Sequence, residues 1–279
     1  MRENRSALLS VFLFTAMIMA LRSPIAASRE IFEFKFSGGI GQYGGQDLTR
    51  HLAGWNTNCQ DLGLILESRL KFTRLGSDLE GQFILNLSRS FGIGAGAGLF
   101  RVDEDSQLAW TQAGQKLVIR DRFKADITPL TLFVVLHLPL GAKVRFNASG
   151  GVGYHRCKIS WMENRTVVED GWSAEKNNAI GYQAALSMDF QLLPHIALVL
   201  EAFGRSLKLE GLTGPRRFQG QEYAANRLWL GQEGSAGKKY DKLAIKETIP
   251  GTDASHSGRR EAVIDLTTIG LRAGINFRF

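Results

Sequence analysis

The chain ends in the stretch TTIGLRAGINFRF, Thr267–Phe279, in which apolar residues alternate with polar or small ones up to the last position. Successive side chains of a β-strand point to opposite faces, so a two-residue period indicates a strand with one apolar face. An α-helix would need a period of about 3.6 residues. The stretch therefore predicts a β-strand that reaches the C-terminal residue.

The same alternation recurs upstream and predicts seven more strands. One face of each carries Phe, Leu, Ile or Val, and the other carries small or hydrophilic residues. No later segment has the roughly 20 apolar residues that a membrane-spanning helix needs. The seven segments are Phe32–Ile40, Gln82–Ser88, Phe91–Leu99, Leu130–Leu138, Val144–Tyr154, Ile180–Phe190 and Ile196–Leu209.

The connections between the predicted strands are strongly unequal in length. Three are tight turns of a few residues, whereas the others are long and polar. Short turns on one rim and long loops on the other are typical of outer-membrane barrels. We therefore expect an all-β fold with short periplasmic turns and long extracellular loops, the loops being Gly44–Asp78, Asp103–Ala125, Lys158–Asn178 and Gly211–Glu261.

The N-terminal segment has the features of an export signal. Arg2 and Arg5 precede an apolar run from Ala7 to Leu21, and Ala26-Ala27-Ser28 offers small residues for cleavage. We predict a cleaved signal peptide over residues 1–28 and a β-barrel over residues 29–279. Cleavage would remove three basic residues and one acidic residue, and so lower the formal charge from +7 to +5.

Taken together, these segments resemble the small eight-stranded bacterial outer-membrane β-barrels, of which the membrane domain of outer membrane protein A is a type case. Arg272, Gly274, Phe277 and Phe279 resemble the C-terminal assembly signal of that group. The resemblance implies an eight-stranded antiparallel up-and-down transmembrane barrel in the bacterial outer membrane. It also implies the barrel assembly machinery as a partner during biogenesis.

Charged residues on the polar faces of the predicted strands have to be satisfied inside a narrow lumen. We expect Arg145 to pair with Asp189 and Glu201 to pair with Arg272, since each pair joins adjacent strands. An eight-stranded barrel has an interior that side chains can just fill. The structural interpretation is a plug of ion pairs, and the functional alternative is a gate or selectivity filter. The predicted network is Glu33, Lys35, Arg145, Asp189, Glu201 and Arg272.

An enzymatic role is the weaker hypothesis. Some similar barrels modify lipid A with a His and a Ser, and His155 with Ser149 or Ser160 is the best-placed set here. His155 and Ser149 are six residues apart on one strand, about 20 Å, which is beyond hydrogen-bond reach. The sequence has no cysteine pair at zinc spacing and no helical histidine pair. We therefore predict no enzyme, metal, cofactor or nucleic-acid partner.

Cys59 and Cys157 are the only cysteines of a chain that is expected in an oxidising compartment. Both are predicted on the outer side of the membrane, where they could form a disulfide. Against this, their strands are not neighbours, so the first loop would have to fold across the mouth of the barrel. The sequence leaves the two alternatives open.

The functional expectation is a monomeric barrel with a structural or surface-interaction role carried by its external loops. Outer-membrane lipid and lipopolysaccharide are the expected surroundings, and the mild positive charge weakly favours an anionic partner. A small-solute channel is the first alternative, and a lipid A-modifying enzyme is the second.

Overall fold

The structure is a computed structural model that describes residues 30–166, 168–235, 238–246 and 256–279. The predicted signal peptide lies outside these residues. Among the described helical residues, no segment is long and apolar enough to cross a membrane.

The described residues form fifteen strands and one helix. In chain order these are β1 (Phe32–Tyr43), α1 (Gln46–Asp61), β2 (Leu66–Ser68), β3 (Leu75–Asn86), β4 (Phe91–Gln112), β5 (Gln115–Pro139), β6 (Val144–Arg165), β7 (Val168–Leu193), β8 (Ile196–Ser206), β9 (Lys208–Leu209), β10 (Thr213–Phe218), β11 (Gln221–Ser235), β12 (Lys238–Lys246), β13 (His256–Glu261), β14 (Ile264–Asp265) and β15 (Thr268–Arg278).

Eight strands of the described chain close into a barrel in the order β1, β3, β4, β5, β6, β7, β8, β15 and back to β1. Each neighbouring pair is antiparallel. The ring closes where β1 pairs with β15, from Glu33 opposite Arg278 to Tyr43 opposite Thr268. The predicted eight-stranded antiparallel barrel is confirmed.

The part of the barrel next to the short turns has an apolar outside, and we call it the membrane half. On β5, Leu132 is 65% exposed, whereas the adjacent Phe133 points inward and is 6% exposed. Small residues make room for such inward side chains, since a Cβ at Gly94 would overlap the Phe133 ring. The membrane half comprises residues 32–43, 75–86, 91–99, 130–139, 144–154, 180–193, 196–205 and 268–279.

On the side away from the short turns, the described residues within 44–74, 100–129, 155–179 and 206–267 form what we call the outer half. The strands continue into it with reversed polarity. The outward residues of β5 become Arg122, Lys124 and Asp126, while the inward residues Phe123 and Ile127 are fully buried. Charged side chains outside and apolar side chains inside are the pattern of a water-soluble β-structure.

The four long connections that the sequence predicts as extracellular loops are largely folded into strands and one helix. Asp103–Ala125 and Lys158–Asn178 continue the β4–β5 and β6–β7 hairpins, Gly211–Glu261 contains β10 to β13, and Gly44–Asp78 contains α1 and β2. The alternation in these segments is hard to recognise in the sequence because charged residues occupy the outward positions. Inward polar residues such as Glu104 interrupt it further.

Helix α1 packs one face against the interior of the outer half and leaves the opposite face, with Thr49, Arg50 and Ala53, exposed. Its Asp47, in the first turn, accepts hydrogen bonds from Arg260, with Nη2 2.6 Å from Oδ1. The helix packs closely on β12, because a Cβ at Gly54 would overlap the carbonyl oxygen of Asp241. Its buried face joins inward side chains of the hairpins in one apolar core, whose largest members include Leu48, Leu52, Trp55, Phe100, Leu108, Phe123, Ile159, Trp161, Trp172 and Leu228.

Candidate functional site

The lumen of the membrane half contains two layers of ion pairs, and the first lies near the short turns. Arg145 donates to Glu33, with Nη1 2.8 Å from Oε1, and to Asp189, with Nη2 2.9 Å from Oδ2. Arg278 also donates to Asp189 Oδ2, at 2.7 Å. Asn276 donates to Glu33 Oε2 at 2.6 Å. The structure thus brings Arg145 and Asp189 together as expected, and adds Arg278 to the pair.

The second layer lies above the first. Lys35 forms an ion pair with Glu201, and Glu201 Oε1 lies 3.1 Å from Arg272 Nε. The layer has three cations and three carboxylates in contact, so it is neutral when all are ionised. The full set is Lys35, Arg205, Arg272, Asp78, Glu80 and Glu201.

Sequence reasoning missed Asp78, Glu80 and Arg205 in this layer. Arg205 Nη1 lies 3.2 Å from Asp78 Oδ2, and Arg272 pairs with Glu80. The available signal was the alternation of β3, because Glu80 and Asp78 continue the inward series of Gln82 by steps of two. The sequence predicts a loop up to Asp78, whereas in the structure β3 and its inward-outward alternation already begin at Leu75.

The top of the second layer meets the apolar core of the outer half. The guanidinium carbon of Arg205 lies 5.7 Å from the centre of the Phe100 ring and 5.8 Å from that of Phe203. Phe100 is fully buried and belongs to the outer core. Stacked charge layers and an apolar core therefore follow one another along the barrel axis.

A group of three titratable side chains lies buried within the outer core. His51 Nε2 lies 3.2 Å from Asp121 Oδ2 and 3.4 Å from Glu163 Oε2. The three residues are at most 3% exposed. His51 is on α1, Asp121 on β5 and Glu163 on β6. Sequence analysis could not join them, because all three fall in or beside segments that were predicted as separate loops.

The hydrogen-bond partners of His51 decide whether this cluster can hold a metal ion. The three ligand atoms lie within 4.8 Å of one another, which would suit a small divalent cation. However, the backbone N–H of Leu243 donates to His51 Nδ1 at 2.9 Å, so the hydrogen of the neutral ring is on Nε2. A metal-bound histidine normally donates a hydrogen bond through its second nitrogen. The nitrogen that faces the carboxylates is therefore a donor here, and the cluster is not arranged as a metal centre.

The histidine and serines considered for catalysis are not brought together. His155 points inward and is 1% exposed. Ser160 lies five residues away on the same strand, so it points to the opposite face of β6. Ser149 shares the inward face with His155 but lies six residues along the strand.

Both cysteines lie in the core of the outer half, Cys59 at the end of α1 and Cys157 on β6. The first connection does fold across the mouth of the barrel, as a disulfide would require. No disulfide joins Cys59 to Cys157 in the structure. Burial raises the pKa of the Cys59 thiol.

The predicted assembly signal occupies β15 and the final residue. Arg272 faces the lumen, and Gly274 allows close approach of the β1 backbone, since a Cβ there would overlap the carbonyl oxygen of Phe36. Phe279 is 58% exposed, and its ring stacks on that of His195 at 6.4 Å between centres. The part that Phe277 and Phe279 play in assembly stays a prediction.

A closed barrel with an apolar outside has no unpaired sheet edge in contact with lipid, as a spanning β-structure requires. Together with the charged lumen and the short turns on one rim, this defines a small transmembrane β-barrel of the bacterial outer membrane.

Solved structures of this class are similar to the chain at low sequence identity. OprG from Pseudomonas aeruginosa is 11% identical, with 90% of this chain and 97% of that chain covered and a TM-score of 0.39. Ail, the attachment invasion locus protein of Yersinia pestis, is 11% identical, with coverages of 88% and 98% and a TM-score of 0.34. A major outer membrane protein from Thermus thermophilus is 16% identical, with coverages of 89% and 99% and a TM-score of 0.39. No protein-family model and no curated protein matches the chain.

Proposed function

We propose that this protein is a non-conducting outer-membrane barrel with a structural or surface-interaction role carried by its folded outer half. The observation that supports this most is the apolar core of the outer half, which includes side chains of α1 and meets the ion-paired lumen where Arg205 lies over Phe100. A protein whose purpose is passage of solutes would be expected to keep a continuous polar path. Here the polar lumen leads to a core that includes Leu52, Phe100 and Phe123.

The outward face of the outer half supports a role in contact with other molecules. It is a charged sheet surface with cross-strand pairs, such as Arg101 Nε with Asp126 Oδ1 at 2.7 Å and Arg122 Nε with Asp103 Oδ1 at 3.3 Å. Arg101 and Lys124 lie just above the apolar outside of the membrane half. At this height their charges suit the phosphates of lipopolysaccharide, which we propose as the surrounding partner.

Conductance tests the first part of the proposal. Purified protein in planar lipid bilayers should give no steady openings, because both the lumen and the outer core are filled. Steady openings of large conductance in the wild type would instead favour the small-solute channel.

Retention of proteoliposomes on immobilised lipopolysaccharide tests the second part. Replacing Arg101 and Lys124 by Ser removes two outward-facing cations from the outer half and should weaken retention. Arg89→Ser removes a cation from a short turn on the opposite rim and serves as the control. Equal retention of all variants would count against surface contact through this face.

A further inference from the structure

The buried cluster of His51, Asp121 and Glu163 contains more negative charge than its surroundings compensate. Asp121 and Glu163 stand directly opposite each other on β5 and β6 and both point inward. Like charges directly opposite on neighbouring strands destabilise a sheet. Two carboxylates that share one buried site cannot readily both ionise.

The two acids have unequal hydrogen-bond partners. Glu163 Oε2 accepts from Trp55 Nε1 at 3.0 Å, and Glu163 Oε1 accepts from Arg165 Nε at 2.6 Å. Neither oxygen of Asp121 has a well-directed hydrogen bond within the described part of the chain. Asp121 faces only the Nε2 edge of His51, at 3.2 Å. The negative charge of the cluster is therefore stabilised on Glu163 rather than on Asp121.

The pKa values of the two acids differ in the sense that their hydrogen-bond partners imply. Burial and the neighbouring Glu163 hold the pKa of Asp121 above its usual range. Burial acts in the same sense on Glu163, but the neighbouring His51 and Arg165 outweigh it and hold the pKa of Glu163 below its usual range.

His51 is the competing place for a proton. Burial favours the neutral ring, while the Asp121 and Glu163 carboxylates, when both are ionised, favour the cation and raise the pKa of His51. A second ring hydrogen would have to sit on Nδ1, where the N–H of Leu243 already points. The cluster has the same total number of protons in either case, and the Leu243 hydrogen bond favours Asp121 as the holder.

Other charged groups near the cluster form ion pairs, ring contacts or hydrogen bonds of their own. Arg165 compensates Glu163, and its guanidinium carbon lies 4.8 Å from the Trp55 ring centre. Lys242 on β12 also lies over that ring, with Nζ 3.8 Å from its centre. On α1, Asp47 pairs with Arg260, and on β4, Glu104 accepts from Thr73. Arg165 is thus the cation that the structure pairs with the cluster, and it does so through Glu163 rather than Asp121.

We propose that Asp121 keeps its carboxyl proton at neutral pH and that this protonation stabilises the packing of α1 against the β4–β5 and β6–β7 hairpins. Glu163 then carries the negative charge of the cluster, while His51 keeps its hydrogen on Nε2 and accepts at Nδ1 from the Leu243 amide. When the proton leaves, the site has two facing carboxylates with one nearby cation, and α1 separates more readily from the hairpins. The inference concerns the outer half and does not depend on the surface role proposed above.

The direction of the pH effect follows from where the proton binds more tightly. With α1 seated, Asp121 holds its proton to a higher pH than it does when α1 has opened and water reaches it. Opening releases a proton at any pH between the one at which Asp121 ionises in the open form and the higher one at which it ionises in the seated form. The opening equilibrium should then rise with pH by up to about tenfold per pH unit, and level off once Asp121 is ionised in the seated form.

Cys59 reports the opening of α1, because its thiol is buried at the end of the helix. We would measure its alkylation rate in a Cys157→Ala background from about pH 5 to about pH 9. Asp121→Asn mimics the protonated acid and should label slowly throughout. Dividing the wild-type rate by the Asp121→Asn rate cancels the ionisation of the thiol itself. We expect this ratio to rise with pH and then to level off.

Glu104→Gln provides the matched control, since Glu104 is a second buried acid of the outer half whose partners are a hydroxyl and backbone amides. This variant should keep the wild-type pH dependence. A constant ratio between wild type and Asp121→Asn would overturn the proposal. Fast labelling of Asp121→Asn at low pH would place the proton on His51 and would overturn it as well.

Infrared spectroscopy tests the proton directly and does not need the variant to fold perfectly. The wild type should show the C=O stretch of a buried protonated carboxyl group at neutral pH, and the band should disappear as the pH rises. It should be absent from Asp121→Asn and present in Glu104→Gln. A zinc salt that slows Cys59 labelling of the wild type but not of Asp121→Asn would overturn the proposal in favour of a metal site.

Discussion

The membrane half and the outer half use the same strands with opposite chemistry. On one face of β5, Leu130 and Leu132 are exposed in the membrane half, and Arg122 and Lys124 occupy the equivalent outward positions of the outer half. The backbone pairing with β6 continues across the change, and the pairing with β4 resumes in the same register beyond Thr128 and Pro129. The same sheet can therefore extend from lipid into water, and the outward side chains decide which of the two each half faces.

The interiors differ as strongly as the outsides. The membrane half encloses layers of paired charges, because its small inward residues leave space that polar side chains fill. The outer half encloses an apolar core built around α1, as a soluble domain does. Burial of apolar surface stabilises the outer half, whereas pairing of charges keeps the lumen of the membrane half from being strongly unfavourable.

The largest effect should come from removing one partner of a buried ion pair in the membrane half. Lys35 pairs with Glu201 and has no other ion partner within the described chain, while Arg272 also contacts Glu80. Glu201→Ala should therefore lower the free energy of unfolding by about 3 to 5 kcal/mol. Urea denaturation in detergent or lipid measures the loss.

A double substitution distinguishes between the two candidate partners of Glu201. Adding Lys35→Ala to Glu201→Ala should recover part of the lost stability, because no lone ammonium group then remains. Adding Arg272→Ala should recover less, since it breaks the contact with Glu80. Strictly additive losses in both double variants would show that the lumen charges do not act as pairs.

The second largest effect should come from exchanging the outward chemistry of the two halves on β5. Leu132→Arg puts a cation into the apolar outside and should destabilise the barrel by about 2 to 4 kcal/mol. Arg122→Leu is the reverse change on the same face of the outer half, where water replaces lipid, and should leave the unfolding free energy nearly unchanged. Similar losses of unfolding free energy in both variants would contradict the division of β5 into a lipid-facing and a water-facing part.

Much of the membrane half could be predicted from the sequence, because its alternation is regular and its outward positions are uniformly apolar. The strands of Phe91–Leu99 and Leu130–Leu138 are recognisable for this reason. The two pairs Arg145–Asp189 and Glu201–Arg272 could be proposed from adjacent strands, and both are in contact. Asp78 and Arg205 were missed, since they lie where the apolar signal of the outward face fades.

The outer half could not be predicted in the same way. Its period of two is present, but charged outward residues and inward polar residues such as Glu104 and Asp121 hide the contrast between the faces. Helix α1 has polar residues around much of its circumference, and only its packing inside the barrel explains which face is buried. The His51 cluster combines three distant segments, and no local spacing encodes it.

A smaller effect should follow from Gly54→Ala in α1. The added methyl group would overlap the Asp241 carbonyl oxygen, so α1 or β12 has to shift. Overpacking of this kind usually costs about 1 to 3 kcal/mol. Cys59 labelling should become faster, while the conductance and the lumen pairs of the membrane half stay unchanged. Ala53→Gly is the neighbouring control, which changes helix propensity without adding volume.

The smallest effect is expected from an exposed ion pair just above the boundary. Arg101 and Asp126 are in contact at 2.7 Å, but their side chains are 59% and 46% exposed. Water and salt screen such a pair, and ordering two long side chains offsets what remains of the attraction. In detergent without lipopolysaccharide and at physiological salt, Arg101→Ser should therefore leave the urea midpoint unchanged within error. A clear loss of stability under these conditions would mean that water does not screen the pair as its exposure implies, and the boundary between the two halves would then lie beyond Arg101.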